Sequence, residues 1–285
     1  MRLAPLPVRR ARKAATALHD RFHLRDPQDL DVEGIAALLG LQVRVGDLHG
    51  AAARLVGAPT GGIIRLSDRI EHSGARRFSV AHEIGHCQLG HRSTATAAVC
   101  ASTDVHGHVD RGAEAEANAF AAELLMPERL VRRRCEVSPV SLEPVRAIAD
   151  NFGVSLLAAA LRFVELTSER CALVFSRARH IVWAAHSPTF LPFIERGRCL
   201  DPDSLAFDWF SSALASSGPQ LVPADAWVSH DAAADAELQE DVFVVPGMDG
   251  VASLLWIPEA AACAFERGGD DATDRHRAGG STFSQ

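Results

Sequence analysis

The chain has 285 residues, 47% of them hydrophobic and 23% charged, and a formal net charge of −7 at pH 7. That length accommodates two domains and a small third element, and the composition is ordinary for a soluble globular protein. The acidic balance excludes a protein that coats nucleic acid over its whole surface, although a local basic groove remains compatible with it. No apolar run approaches bilayer-spanning length, and the basic residues 1–15 are not followed by an apolar segment as in a secretory signal. A cytoplasmic location without membrane contact is expected. The six cysteines, at 87, 100, 135, 171, 199 and 263, form no CxxC pair, so reduced thiols, mostly small core residues, are expected.

Residues 8–22 read as a basic amphipathic helix carrying Arg9, Arg10, Arg12 and Lys13, and residues 31–40 as a second helix closed by Gly40. Strands follow at 41–45, 53–56 and 62–66, the last two separated by a turn at 58–61. A helix carrying the HExxH motif at 82–86 is expected next, and a second long helix over roughly 113–125, before Pro127. Residues 139–166 show helix, glycine-containing turn, helix, the helix-turn-helix pattern. The second of these helices (LLAAALRFVEL) is mostly apolar, which favours packing over DNA contact. Beyond Cys171 the runs 172–175 and 180–185 suggest a hairpin. Residues 204–217 suggest a helix, and 241–245 with 251–257 around Asp249-Gly250 suggest a second hairpin. The fold class is therefore α+β: helices on a small sheet, a helix-turn-helix-like connector, and an α+β sensor-type domain. The boundaries fall at 1–135, 136–168 and 169–262, and residues 263–285 read as a disordered tail.

The chemistry concentrates in His82-Glu83-Ile84-Gly85-His86. Two histidines four apart lie one turn apart on one helix face, where their imidazoles can converge on a zinc ion. Glu83 is placed to take a proton from water activated by that ion, which suits peptide-bond hydrolysis. A third protein ligand is needed. The metzincin spacing fails, since Gly90 and His91 come four and five residues after His86. His91 reads as a helix-end residue turned off the His82/His86 face. Glu114 is the better candidate, with Asn118 one turn on to orient a ligand histidine from behind. Glu116 is the weaker alternative, because it lies about 200° around the helix from Glu114.

The segments RRFSVAHEIGH and ExEANAFAAELLMP together resemble the ImmA/IrrE family of bacterial zinc peptidases over roughly residues 10–135. The resemblance implies a gluzincin-like site with His82, His86 and Glu114 as zinc ligands and Glu83 as general base. It implies cleavage of a helix-turn-helix transcriptional repressor, and a GAF-like domain after the peptidase. A gluzincin often adds a tyrosine or histidine donor for the oxyanion. This chain contains no tyrosine, which leaves His72, Arg76, His106 and His108 as candidates.

Residues 92–110 lie between the two ligand-bearing segments. Cys100 in that stretch is a candidate to occupy the open zinc position as a thiolate and silence the enzyme. Such a cysteine switch resembles the CapP branch of the family, associated with anti-phage operons and activated by single-stranded DNA. Arg129, Arg132, Arg133 and Arg134 are candidate contacts for that DNA. Two other functions compete with proteolysis. One is a DNA-binding regulator using residues 139–166, and the other a repressor-binding scaffold. The intact Glu83 argues against a purely structural zinc site, which has no need of a base.

Overall fold

A computed structural model describes residues 5–48, 52–58, 61–91, 112–212, 218–229 and 236–266. Two compact units emerge. The first comprises Met1–Glu136 with Glu143–Leu166, the second Val137–Leu142 with Thr167–Gln285. The helical pair expected as a separate connector therefore belongs mainly to the first unit.

In the first unit, α1 (Leu6–Arg21), α2 (Val32–Leu38), α3 (Ser73–Gln88), α4 (Ala113–Leu125), α5 (Glu128–Cys135), α6 (Leu142–Phe152) and α7 (Leu156–Leu166) surround three strands. The strands β1 (Leu41–Gly46), β2 (Ala53–Ala58) and β3 (Gly61–Ser67) form a sheet in the order β1-β3-β2. β3 pairs parallel with β1 and antiparallel with β2, so β2 is an edge. Leu41, Ala53, Ile64 and Leu66 bury one face, whereas Val56 and Ile63 stay exposed on the other.

The helix α4 is rich in alanine, the best helix former, and two of its alanines make its neighbours' close approach possible. Ala117 and Ala121 are fully buried. Ala11, Ala15 and Leu18 of α1 are buried too, and His19 Nε2 lies 2.9 Å from the Leu124 carbonyl oxygen. A Cβ added at Gly85 of α3 would meet the Phe120 side chain at 3.0 Å, so this glycine sets how closely α3 approaches α4.

Gly74, in the first turn of α3, lies against the turn between α6 and α7. An added Cβ there would come within 2.6 Å of the Ser155 backbone nitrogen and the Val154 carbonyl carbon. Backbone cannot swing aside as a side chain can, so Gly74→Ala is expected to cost roughly 1–3 kcal/mol, the range for overpacking. Urea denaturation measures it, and an unchanged midpoint with unchanged slope would contradict the contact.

The α6–α7 pair bends by 114°. In α7, Leu157, Ala159, Ala160, Phe163, Val164 and Leu166 are buried. The helix that a DNA reading would lay in a groove is thus largely occupied by packing, as its apolar sequence implies. Arg162 of the same helix is almost wholly buried. It pairs with Glu123 and Glu165 and donates to the Met126 carbonyl at 3.1 Å.

In the second unit β4 (Cys171–Arg177), β5 (His180–His186), β6 (Gln220–Pro223), β7 (Glu237–Val245) and β8 (Gly250–Trp256) form an antiparallel sheet in the order β5-β4-β8-β7-β6. The helices are α8 (Leu205–Ser212) and α9 (Glu259–Glu266). Trp227, Val222, Leu238, Val251 and Leu255 lie in its core. Glu240 is fully buried there. Its carboxylate accepts from the amides of Leu205 and Ala206 at the start of α8, from Trp227 Nε1 and from Ser253 Oγ, all within 3.0 Å. Burial pushes its pKa up, against the pull of those four donors. All four tryptophans, at 183, 209, 227 and 256, belong to this unit.

Both expected hairpins are present, though β8 pairs with β4 as well as β7. Helices α5 and α9 and strand β6 have no counterpart in the sequence reading. The expected tail lies almost wholly outside the described residues. Among the described residues no single helix is long and apolar enough to cross a membrane.

Candidate metal centre

Helix α3 begins with His72 as its N-cap, the imidazole Nδ1 accepting from the Gly74 amide at 3.1 Å. This use of Nδ1 leaves the proton on Nε2. It also places His72 ten residues before His82, about 15 Å along the helix axis. His72 is a cap and not a donor at the site. Val80, Ala81 and Ile84 anchor the middle of α3 in the core. That packing turns His82 and His86 toward α4.

The three predicted ligands come together. One ligand atom each from His82, His86 and Glu114 lies within 4.8 Å of the others. His82 Nε2 stands 3.0 Å from His86 Nε2 and 3.1 Å from Glu114 Oε2, and Glu114 Oε1 is 3.3 Å from His86 Nε2. Zinc–nitrogen bonds of about 2.0–2.1 Å at tetrahedral angles separate two imidazole nitrogens by about 3.3 Å. The donor set is two imidazoles and one carboxylate, which fits zinc. The two imidazoles beside it, His82 and His86, hold the Glu114 carboxyl far below the ordinary carboxylate range. Burial lowers the pKa of His86, but the adjoining Glu114 carboxylate outweighs it and the net shift is upward.

His82 Nδ1 lies 2.9 Å from Asn118 Oδ1. An amide oxygen accepts only, so Nδ1 carries the proton and Nε2 is left with its lone pair toward Glu114 and His86. Glu83 is buried, with 5% of its surface exposed. Burial raises its pKa, the two histidines pull it down, and the Leu55 backbone amide donates to its carboxylate. Leu55 lies on β2, so an edge strand and the candidate base are tied directly together.

Glu116 points elsewhere. Its carboxylate meets His91 Nε2 at 3.0 Å and Arg10 Nη2 at 2.8 Å, on the other side of His86 from the ligand cluster. His91 is, as expected, a residue just past the helix end and outside the ligand cluster, and its Nδ1 lies 3.0 Å from His86 Nδ1. The signal for this was present in Gly90. With φ +69° it closes α3 in a Schellman motif: its own amide bonds to the Cys87 carbonyl, and the His91 amide bonds to the His86 carbonyl. The chain thereby reverses and folds His91 back over the ring of His86.

Residues 36–164 match a family model. That model is Peptidase_M78, described as the IrrE N-terminal-like domain. This IrrE-like span contains His82, Glu83, His86, Glu114 and Asn118, and the match supports a protease-type regulator of transcription. A solved structure of a Mycobacterium tuberculosis transcriptional regulator shares the fold, with TM-score 0.54 and 16% identity over 88% of this chain and 90% of that chain. No curated protein matches the chain.

The four arginines expected to contact DNA are all exposed, and three of them also have partners within the protein. Arg129 donates to the Leu24 and Arg25 carbonyls, and Arg132 pairs with Glu128 and donates to the Leu166 carbonyl. Arg134 lies over the Phe152 ring, and Arg133 is exposed. A different basic row stands on the solvent face of the small sheet. Arg44 is registered against Arg65, and Arg65 against Arg54, all three exposed. Like charges directly opposite one another weaken a sheet, so an anion bound across them would relieve a repulsion built into the strands. Of the cysteines, Cys135 and Cys171 are buried, Cys87 is partly exposed and Cys199 exposed. Cys100, His106 and His108 lie outside the described residues.

Proposed function

We propose that the chain is a zinc endopeptidase that cleaves a helix-turn-helix transcriptional repressor and so releases the genes it silences. The observation that carries this reading is the convergence of His82, His86 and Glu114 within 4.8 Å, beside a buried glutamate that takes no part in that cluster. His82, His86 and Glu114 would hold the ion. Zinc would supply Lewis acidity, letting water lose a proton near neutral pH and polarising the scissile carbonyl.

The rest of the chemistry falls to the protein's own residues. Glu83 accepts the proton of the attacking water and returns it to the departing amide nitrogen. Burial, by raising the pKa of Glu83, makes it a stronger base than an exposed glutamate. The hydrogen bond from Leu55 keeps its carboxylate in place. Asn118 keeps His82 in the tautomer that presents Nε2. An extended segment of the repressor would lie alongside β2, next to the base that the Leu55 amide of β2 holds.

The test is to mix the purified protein with candidate helix-turn-helix repressors from the same source and follow intact substrate on gels. Cleavage that stops with 1,10-phenanthroline and returns with added zinc supports the proposal. Binding without cleavage under any metal condition would leave a scaffold in its place.

Single-stranded DNA is the proposed activator, and the exposed Arg44–Arg65–Arg54 row and the exposed arginines of α5 both support an anionic partner. Cys100 is the proposed brake. It lies in the sequence between His91 and Gly112, hence between the two helices that carry the ligands. A thiolate at the open zinc position would exclude water. Cys100→Ser is expected to raise cleavage in the absence of DNA, as read by repressor half-life. Unchanged basal cleavage would remove the cysteine from the regulation.

A further inference from the structure

We infer that His91, Glu116 and Arg10 form a positioning chain behind the ligand His86, fixing its tautomer and ring orientation. The inference rests on the zinc-site reading above. It starts from His86 itself. If Nε2 binds metal it must present a lone pair, so the ring proton sits on Nδ1. That Nδ1–H faces His91 Nδ1 at 3.0 Å, which must then accept. His91 consequently carries its proton on Nε2, and this faces Glu116 Oε2 at 3.0 Å. A carboxylate only accepts, so the direction is forced at every step. Arg10 Nη2 donates to the same oxygen from 2.8 Å and closes the chain. With this one assignment every donor meets an acceptor, and reversing it would leave two lone pairs facing at one link.

Burial supports a built arrangement. The His91 and Glu116 side chains are only 11% and 12% exposed, while Arg10 at 60% is the solvent end. The chain also draws on three separate pieces of backbone: α1, α4 and the Schellman turn after α3. Arg10 lies outside the matched span 36–164, so the outer support of His86 extends beyond the IrrE-like domain match. His82 is held in an equivalent way by the neutral Asn118. The two ligands therefore differ: one leans on an amide, the other on a relay that ends in a carboxylate. A carboxylate at the end of such a relay makes the ligating nitrogen more basic and strengthens its bond to the metal. His91, Glu116 and Arg10 are positioning residues, since none of them belongs to the ligand cluster.

The experiment titrates metal-free full-length protein with Zn2+ in competition with a chromophoric chelator, and records the visible spectrum of the Co2+-loaded protein. His91→Leu is expected to weaken zinc binding 10–100-fold and to shift the Co2+ bands. His91→Gln, whose amide can accept from His86 and donate to Glu116, is expected to recover most of that loss. Arg10→Ala, at an exposed position that does not threaten folding, is expected to give a smaller loss in the same direction. Wild-type affinity in His91→Leu, or equal losses in the Leu and Gln variants, would overturn the inference. So would an Arg10→Ala protein indistinguishable from wild type if His91→Leu does not fold. A wild-type chain that binds no zinc would instead overturn the metal-site reading itself.

Discussion

Glu83→Gln protein is expected to bind zinc as the wild type does and to cleave the repressor some 10²–10⁴-fold more slowly, the usual contribution of a positioned base. Glutamine keeps the volume of the buried side chain, and its carbonyl oxygen can still accept from the Leu55 amide. The ligands His82, His86 and Glu114 are untouched. Only the ability to take up a proton is lost. The measurement is single-turnover cleavage at saturating enzyme together with zinc content by elemental analysis. A variant within a few-fold of the wild-type rate would show that another group takes the proton. Loss of zinc would show that Glu83 holds the metal instead. The substitution therefore separates base from ligand at one position.

The second large effect concerns the first unit's buried charges. Arg162→Ala is expected to destabilise that unit by about 3–5 kcal/mol, the cost of leaving a buried partner unpaired. Arg162 is 1% exposed and Glu123 8%, so neither charge has water to fall back on. Glu123 also accepts from the Glu128 amide at 3.1 Å, which helps it but does not neutralise it. The double variant Arg162→Met/Glu123→Leu is expected to recover much of the loss, since it buries no charge. Urea denaturation followed by far-ultraviolet circular dichroism reads both. A loss under about 1 kcal/mol in Arg162→Ala would mean that water reaches the pair.

Much of the candidate site was legible because helical spacing is rigid. His82 and His86 had to share a face, and so did Glu114 and Asn118, while Glu116 had to face away. The pairing of the two helices was not legible from spacing, because it depends on Gly85 admitting Phe120. His91 is no ligand, as its position past the helix end implies, but its contact with the His86 ring was not legible. A rotation of 100° per residue holds only along the helix, which ends at Gln88. Beyond Gly90 the chain no longer follows that rule, and the left-handed glycine returns His91 to the His86 ring. The packing role of α7 was legible in composition. Helix-turn-helix describes a connection, and the apolar character of LLAAALRFVEL already pointed to the burial seen in α7. The arginine row was invisible in sequence because it depends on strand register across β1, β3 and β2.

The placement of the tryptophans has a practical consequence. With no tyrosine in the chain and every indole in the second unit, near-ultraviolet absorption and intrinsic fluorescence report on that unit's side chains. Melting of the metal-binding unit would pass almost unseen in a fluorescence scan, and an apparently two-state curve would describe half the molecule. A single tryptophan introduced at Phe22, beside Arg21 at the end of α1, would give the first unit an optical signal of its own. The two units already differ by nature in what light they absorb.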